Sequence, residues 1–170
     1  MIETFIEQHA PNLLAEEYTQ TQLDVQRAES ILQNIARRLN LPHIFVEPDL
    51  NERLTIGYRD NEGVEEQFRA RSSVELNSEF VAAHVIAHQF PLRESFWLGK
   101  LSDHLGSVVL FVCGDIHLYS FPKLLEQKGW TSKVHASGIG VNHNHSDYAA
   151  LQYALKNGMF EDSDCVCRKP

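Results

Sequence analysis

No apolar run in the 170 residues approaches the ~20 residues a helix needs to cross a bilayer. The first residues also lack the basic-then-apolar order of a secretory signal. Basic side chains are in the minority, 15 Lys and Arg against 23 Asp and Glu, and form no cluster. With a formal net charge of −8, a nucleic-acid partner is not expected, because such a partner calls for a basic face. Cysteine is scarce and odd in number, three residues in all, with Cys113 at the end of an apolar run. That usage points to a reducing compartment, and a cytoplasmic location is the expectation. Histidine, by contrast, is plentiful: nine residues, each a candidate for metal or acid–base work. Length and composition suit one globular domain with a sizeable core.

The chain is organised around Ser107 to Gly129. Val108 to Val112 is a continuous run of β-branched and large apolar residues, as in a strand buried on both faces. Cys113-Gly114 ends it. A helix is expected next, with Pro122 in its first turn and Lys128-Gly129 as the stop. Lys133 to Ala136 reads as another strand, completing a βαβ unit.

Earlier in the chain, Ile2 to Gln8 has helical spacing and Asn12 to Ala15 reads as a brief buried strand. Thr21 and Asp24 resemble a capping box, and Val25, Ala28, Leu32, Ile35 and Leu39 then share one helical face up to Asn40. Pro42 prevents continuation, and His43 to Glu47 is the next strand. Asn51 to Arg71 is polar and reads as a surface excursion. Ser72-x-x-Glu75 matches a capping box before a helix of about four turns. Pro91 interrupts that helix, and a second helical run continues to Gly106. A last helix opens at Ser146-Asp147, before a polar tail over residues 161–170. The fold class expected is α/β: a single domain over residues 1–160, with a short, mostly parallel sheet of at least four strands flanked by helices. If right-handed crossovers join the strands in one sheet, their C-termini share an edge carrying Glu16, Glu17, Glu47, Asp49, Asp115 and His117.

That edge holds the candidate chemistry. Gly114-x-x-His117 puts a histidine at a strand-to-helix turn, where it can serve as general base or metal ligand, or be held by a backbone carbonyl. Glu16 and Glu17 point in opposite directions after their strand, so one can orient His117, take a proton or bind metal while the other faces solvent. Asp49, Arg93, Glu94, Gly114 and Asp115 are candidate substrate-binding residues; Arg93 suits a carboxylate or phosphate, and Asp49 has Arg53 as an alternative partner. His84-x-x-x-His88 has a chelating spacing on one helical face, and His143-x-His145 lies in a polar loop. Partly buried helix histidines and an ordinary turn are the plain alternatives for these two pairs.

Four segments carry a resemblance when taken in order: Leu14-Ala15-Glu16-Glu17, His43-x-x-x-Glu47-Pro48-Asp49-x-x-x-Arg53, Arg93-Glu94-x-x-Trp97, and Leu110-Phe111-Val112-Cys113-Gly114-x-x-His117. Together they resemble an uncharacterised bacterial family and, more distantly, the erythromycin esterase, ChaN and TraB/Tiki group. The similarity covers most of Leu13 to Trp130. It implies an α/β core with paired glutamates and two G-x-x-H motifs around one cleft; some members are hydrolases, an esterase and metal-dependent proteases among them, and ChaN-like members bind haem. By this resemblance Glu16 or Glu17 matches the strand-end glutamate, and Gly114 and His117 the second G-x-x-H. Such relatives begin with a strand and a first G-x-x-H, whereas this chain starts at the helix after them. The resemblance therefore implies a lost strand, a sheet completed by a partner subunit as a homo-oligomer, or a degenerate site.

The functional expectation is a hydrolase acting on a small molecule or peptide, with His117 and Glu16 or Glu17 at its centre, assisted by a divalent metal or not. A haem- or metal-binding module and a non-catalytic interaction protein are the alternatives.

Overall fold

The computed structural model describes residues 2–26, 29–71, 76–136 and 146–160. The chain opens with helix α1 (Ile2–His9), then strand β1 (Leu13–Glu16), whose Leu13, Leu14 and Ala15 are almost wholly buried. Such burial on both faces requires a central position, and β1 is central. Strand β2 (His43–Phe45) lies parallel on one side and strand β3 (Val109–Val112) parallel on the other, in the order β2-β1-β3. The α/β class, with its short parallel sheet flanked by helices, is as expected.

Alternation along β1 separates two cores. Leu13 and Ala15 pack with Trp97, Leu101 and Phe121 on one face. Leu14 packs with Ile6, Leu32, Ile35 and Ala36 on the other. Between β1 and β2 the chain forms two helices, α2 (Gln20–Gln26) and α3 (Ile31–Leu39), where one continuous helix was expected. Ser30 is the cause. Its backbone is extended and its hydroxyl accepts the Gln33 N–H at 3.2 Å, which starts α3 afresh. Asn40 ends α3 in the left-handed conformation at φ 53°.

The expected surface excursion over 51–71 is instead largely helical, as α4 (Leu50–Thr55) and α5 (Asn61–Arg69). Asp49 caps α4 in a reciprocal box with Glu52, and Asp60 caps α5 through the Gly63 N–H. Val64, wholly buried, packs α5 against Val81 and Val85. Helix α6 (Ser78–His84) runs through a π turn (Val85–Gln89) into α7 (Phe90–Leu101). Pro91 falls in the first turn of α7 just after the widened turn, so the rod bends its register without stopping. The Ser72-x-x-Glu75 box lies outside the described residues.

After β3 a 3₁₀ turn (Asp115–Tyr119) leads to α8 (Phe121–Gln127), with Pro122 in its first turn as expected. The strand expected at Lys133 to Ala136 does not form: those residues are irregular, and the described sheet has three strands rather than four. Only two of the four residues are apolar, and Val134 is left exposed while His135 rests against Phe5 and His9 of α1. The last helix, α9 (Ser146–Lys156), presses small residues Ala150 and Ala154 onto Ala83 and Ala87. Among the described residues no helix is long and apolar enough to cross a membrane.

Candidate active site

The order β2-β1-β3 reverses direction between β1 and β3, and a parallel sheet opens a crevice at that point beyond its C-terminal edge. Glu17 leaves β1 on one side of the crevice and Gly114 leaves β3 on the other. They meet directly: the Gly114 N–H donates to Glu17 Oε2 at 2.7 Å. A Cβ on Gly114 would sit 3.3 Å from that oxygen. The glycine is therefore favoured by the approach of the carboxylate, its φ of −59° being open to any residue.

Helix α7 closes the crevice with four side chains, Phe90, Arg93, Glu94 and Trp97. Arg93 reaches Glu17 Oε1 at 2.5 Å and Glu47 Oε2 at 2.7 Å through Nη2. Glu47, at the end of β2, is buried and also accepts from Trp97 Nε1 at 3.1 Å and Arg53 Nη2 at 2.7 Å. Glu94 turns toward β3, where its Oε1 accepts from His117 Nδ1 at 2.8 Å and Ser120 Oγ at 2.6 Å. Phe90 stacks on the His117 ring at 4.4 Å and Trp97 meets it edge-on at 4.5 Å.

His117 thus lies between two carboxylates. Nδ1 is firmly held by Glu94, while Nε2 stands 3.4 Å from Glu17 Oε1, beyond an ordinary N–H···O length. Burial opposes the imidazolium, but Glu17 and Glu94 outweigh it and raise the His117 pKa above its usual value. Burial likewise opposes the Glu17 carboxylate. Contacts with His117, the Arg93 charge and the Gly114 N–H overcome that and hold it at about 2. Three carboxylates (Glu17, Glu47, Glu94) therefore face three cations (Arg53, Arg93, His117) in one connected network.

The expected residues divide clearly. Glu17, Arg93, Glu94, Gly114 and His117 come together. Glu16 does not join them: it lies on the opposite sheet face, buried rather than turned to solvent, with Oε1 accepting from Ser30 Oγ and 2.8 Å from His43 Nε2. Asp49 is the cap of α4, and Arg53, its expected alternative partner, bonds Glu47 instead. Arg93 is already paired twice, which removes it as a free anchor for a substrate anion. Asp115 is in the first turn after the crevice glycine and is half-buried. His84 and His88 approach to 4.4 Å between ring centroids; burial, then the charge of His88, lowers the His84 pKa to about 4. Among the described residues no group of three or more His, Cys, Asp or Glu side chains is placed to hold a metal ion. His143 and His145 lie outside the described residues. Burial, then the carboxylates of Glu17, Glu94 and Asp115, push the Cys113 thiol up to about 12, consistent with a packing role.

Two participants carried no usable signal in the sequence. Ser120 donates to Glu94, and Tyr58 lays its ring 5.5 Å from the Arg93 guanidinium carbon. Tyr58, Phe90 and Arg93 also line a cleft of about 460 Å³ that opens beside the network toward α5 and α6.

Compared with protein-family models, curated proteins and solved structures, the chain matches none of them.

Proposed function

We propose that the chain is a hydrolase whose general acid is His117 and whose general base is Glu17. The observation that carries this reading is the unequal grip on the imidazole, 2.8 Å at Nδ1 against 3.4 Å at Nε2. Glu94, itself held by Ser120, fixes the ring, and Nε2 is left directed at the Glu17 carboxylate in a loose contact, so a scissile group that displaces this contact meets an acid and a base together. The opposed pKa shifts favour a proton on the histidine and an ionised glutamate, the division of roles the reading needs.

In this reading Glu17 takes a proton from water as the water oxygen attacks an acyl carbon. His117 gives its Nε2 proton to the leaving oxygen or nitrogen as that bond breaks. The proton on Glu17 then returns to His117, which restores both groups. Arg93, 2.5 Å from Glu17, keeps that carboxylate in its ionised form between turnovers.

The donor set does not suit a divalent metal. Both Glu17 oxygens are engaged by Arg93 and the Gly114 N–H, His117 Nδ1 is taken by Glu94, and among the described residues no group of three or more His, Cys, Asp or Glu side chains is placed to hold an ion. The burial of His117 between Phe90 and Trp97 counts against it as a haem ligand, so the reading is metal-free acid–base hydrolysis.

Hydrolysis of p-nitrophenyl acetate and butyrate, and of a fluorogenic peptide, tests it. Glu17→Gln and His117→Gln are expected to lower turnover by on the order of 10²–10⁴. Chelator treatment is expected to leave it unchanged. Wild-type rates in both variants would overturn the reading.

A second reading, a non-catalytic scaffold, is favoured by one observation. Among the described residues no buried side-chain nitrogen or oxygen lacks a hydrogen-bond partner, so the network is complete without a ligand. An inactive wild-type protein across the panel, with both variants destabilised, would favour that reading.

A further inference from the structure

Tyr58 sits where the cleft meets the network. Its loop is pinned twice: the Tyr58 N–H donates to the Arg53 carbonyl at 2.9 Å, and the Arg59 N–H donates to Oε1 of the buried Gln89 at 2.8 Å. The ring lies 5.5 Å from the Arg93 guanidinium carbon and 5.3 Å from that of Arg53. Its hydroxyl touches Arg93, and a guanidinium only donates, so the phenol oxygen is the acceptor in that contact. The hydroxyl proton then points elsewhere, and among the described residues no acceptor takes it. Arg93 has donors to spare as well. Nε and Nη2 carry its bonds to Glu47 and Glu17, whereas no carboxylate reaches the two N–H groups of Nη1. Since no buried side-chain nitrogen or oxygen among the described residues lacks a partner, these spare donors open to solvent, and the cleft is the space both residues line. The wall beside them is apolar, made by Val85, Ile86 and Phe90. Donors without acceptors next to apolar surface suit a neutral carbonyl on a hydrocarbon body. An anion would meet the two carboxylates that already share the Arg93 charge.

We propose that the Tyr58 hydroxyl and Arg93 Nη1 together hold the carbonyl oxygen of the substrate, and that the acyl part of that substrate is uncharged and apolar. This deepens the hydrolase reading, and rests on it only in making the bound carbonyl the one that is hydrolysed. Glu17 Oε1 lies 2.5 Å from Nη2 of the same guanidinium and 3.4 Å from His117 Nε2, so a carbonyl on Nη1 stands beside the proposed base. The phenol adds a neutral donor whose hydrogen bond strengthens as the oxygen gains negative charge. Burial raises the Tyr58 pKa against the opposing charges of Arg93 and Arg53, which keeps that donor protonated at neutral pH.

NMR titration of the whole chain with 4-phenylbutan-2-one, carbon-13 labelled at its carbonyl, tests the assignment with a neutral probe that has no ester to cleave. Saturable binding is expected, and 3-phenylpropionate, the same body with a carboxylate, is expected to bind at least tenfold more weakly. Tyr58→Phe keeps the ring and removes the donor; melting curves confirm that it remains folded. It is expected to weaken ketone binding by about threefold to tenfold, the loss of one hydrogen bond, and to move the bound carbonyl resonance upfield of its wild-type position. In the ester assay the same variant is expected to lower kcat by on the order of 10², and to move kcat more than KM. No binding of the ketone, or an unchanged resonance and affinity in Tyr58→Phe, would overturn the proposal. Because the probe is not hydrolysed, a Tyr58-dependent resonance in a protein without hydrolase activity would sink only the hydrolase reading. Hydrolysis at the full rate in Tyr58→Phe would sink only this one.

Discussion

Glu94 Oε1 lies 2.8 Å from His117 Nδ1, and each of the two residues is 1 % exposed. Two ionisable groups so fully removed from water are stable only as partners. Their pairing joins α7 to the turn after β3 and fixes which imidazole nitrogen faces the crevice.

Glu94→Gln keeps the volume and removes the charge. The His117 pKa is expected to fall in this variant, because one of the two carboxylates that oppose the effect of burial is gone. An NMR titration of the His117 ring reads this directly. Stability is expected to drop by about 3–5 kcal/mol, the cost of unpairing a buried charge. An unmoved titration would show that Glu94 does not hold the imidazolium.

Acid should act through Glu17. Its folded-state pKa of about 2 lies below its ordinary value of 4.5, so its stabilisation is fully present above pH 4.5 and is lost as pH falls toward 2. A shift of that size corresponds to about 3 kcal/mol. For His117 the sign is reversed: a raised pKa stabilises the fold below pH 6.5, and that contribution is lost as pH rises through the folded-state value. Denaturant unfolding of Glu17→Gln between pH 2 and 5 is expected to show a flatter acid limb than the wild type. A limb of equal slope would remove Glu17 as its source.

Glycine substitutions separate close approach from chain flexibility. Gly114→Ala brings a methyl to 3.3 Å from Glu17 Oε2, loosens the Gly114 N–H bond, and is expected to cost about 1 kcal/mol while raising the Glu17 pKa. Gly99→Ala, inside α7 with open space around the new methyl, is expected to stabilise by about 0.5–1 kcal/mol. Chemical denaturation of the two variants side by side checks both signs.

Much of the frame was legible because local chemistry dictated it. The apolar runs at Leu13–Ala15 and Val109–Val112, with Pro42 before His43, marked the three strands that form, and parallel pairing alone brought Glu17, Glu47 and His117 to one edge. Helices α4 and α5 were hidden because they are short and charged, each resting on its aspartate cap, with Val64 the one buried residue between them. The π turn has no sequence signature, and on the helix that follows it the adjacent Arg93 and Glu94 reach the ends of different strands. Lys133 to Ala136 looked like a strand because four residues are too few for alternation to distinguish a strand from a surface segment.

The pair Glu16 and Glu17 shows what period-two alternation leaves open: it assigns adjacent residues to opposite faces without saying which face holds the crevice. The partners decide it. Glu16 serves His43 and the cap of α3, whereas Glu17 serves Arg93, His117 and Gly114. Glu16→Gln is therefore expected to lower the melting temperature by weakening the Ser30 and His43 contacts, while leaving the His117 titration near its wild-type position. Glu17→Gln should do the reverse at the ring, lowering the His117 pKa by removing a carboxylate 3.4 Å from Nε2. Recording both titrations under one set of conditions separates the two faces. A His117 shift in Glu16→Gln as large as that in Glu17→Gln would mean that the sheet couples the clusters, and that Glu16 positions the site from behind.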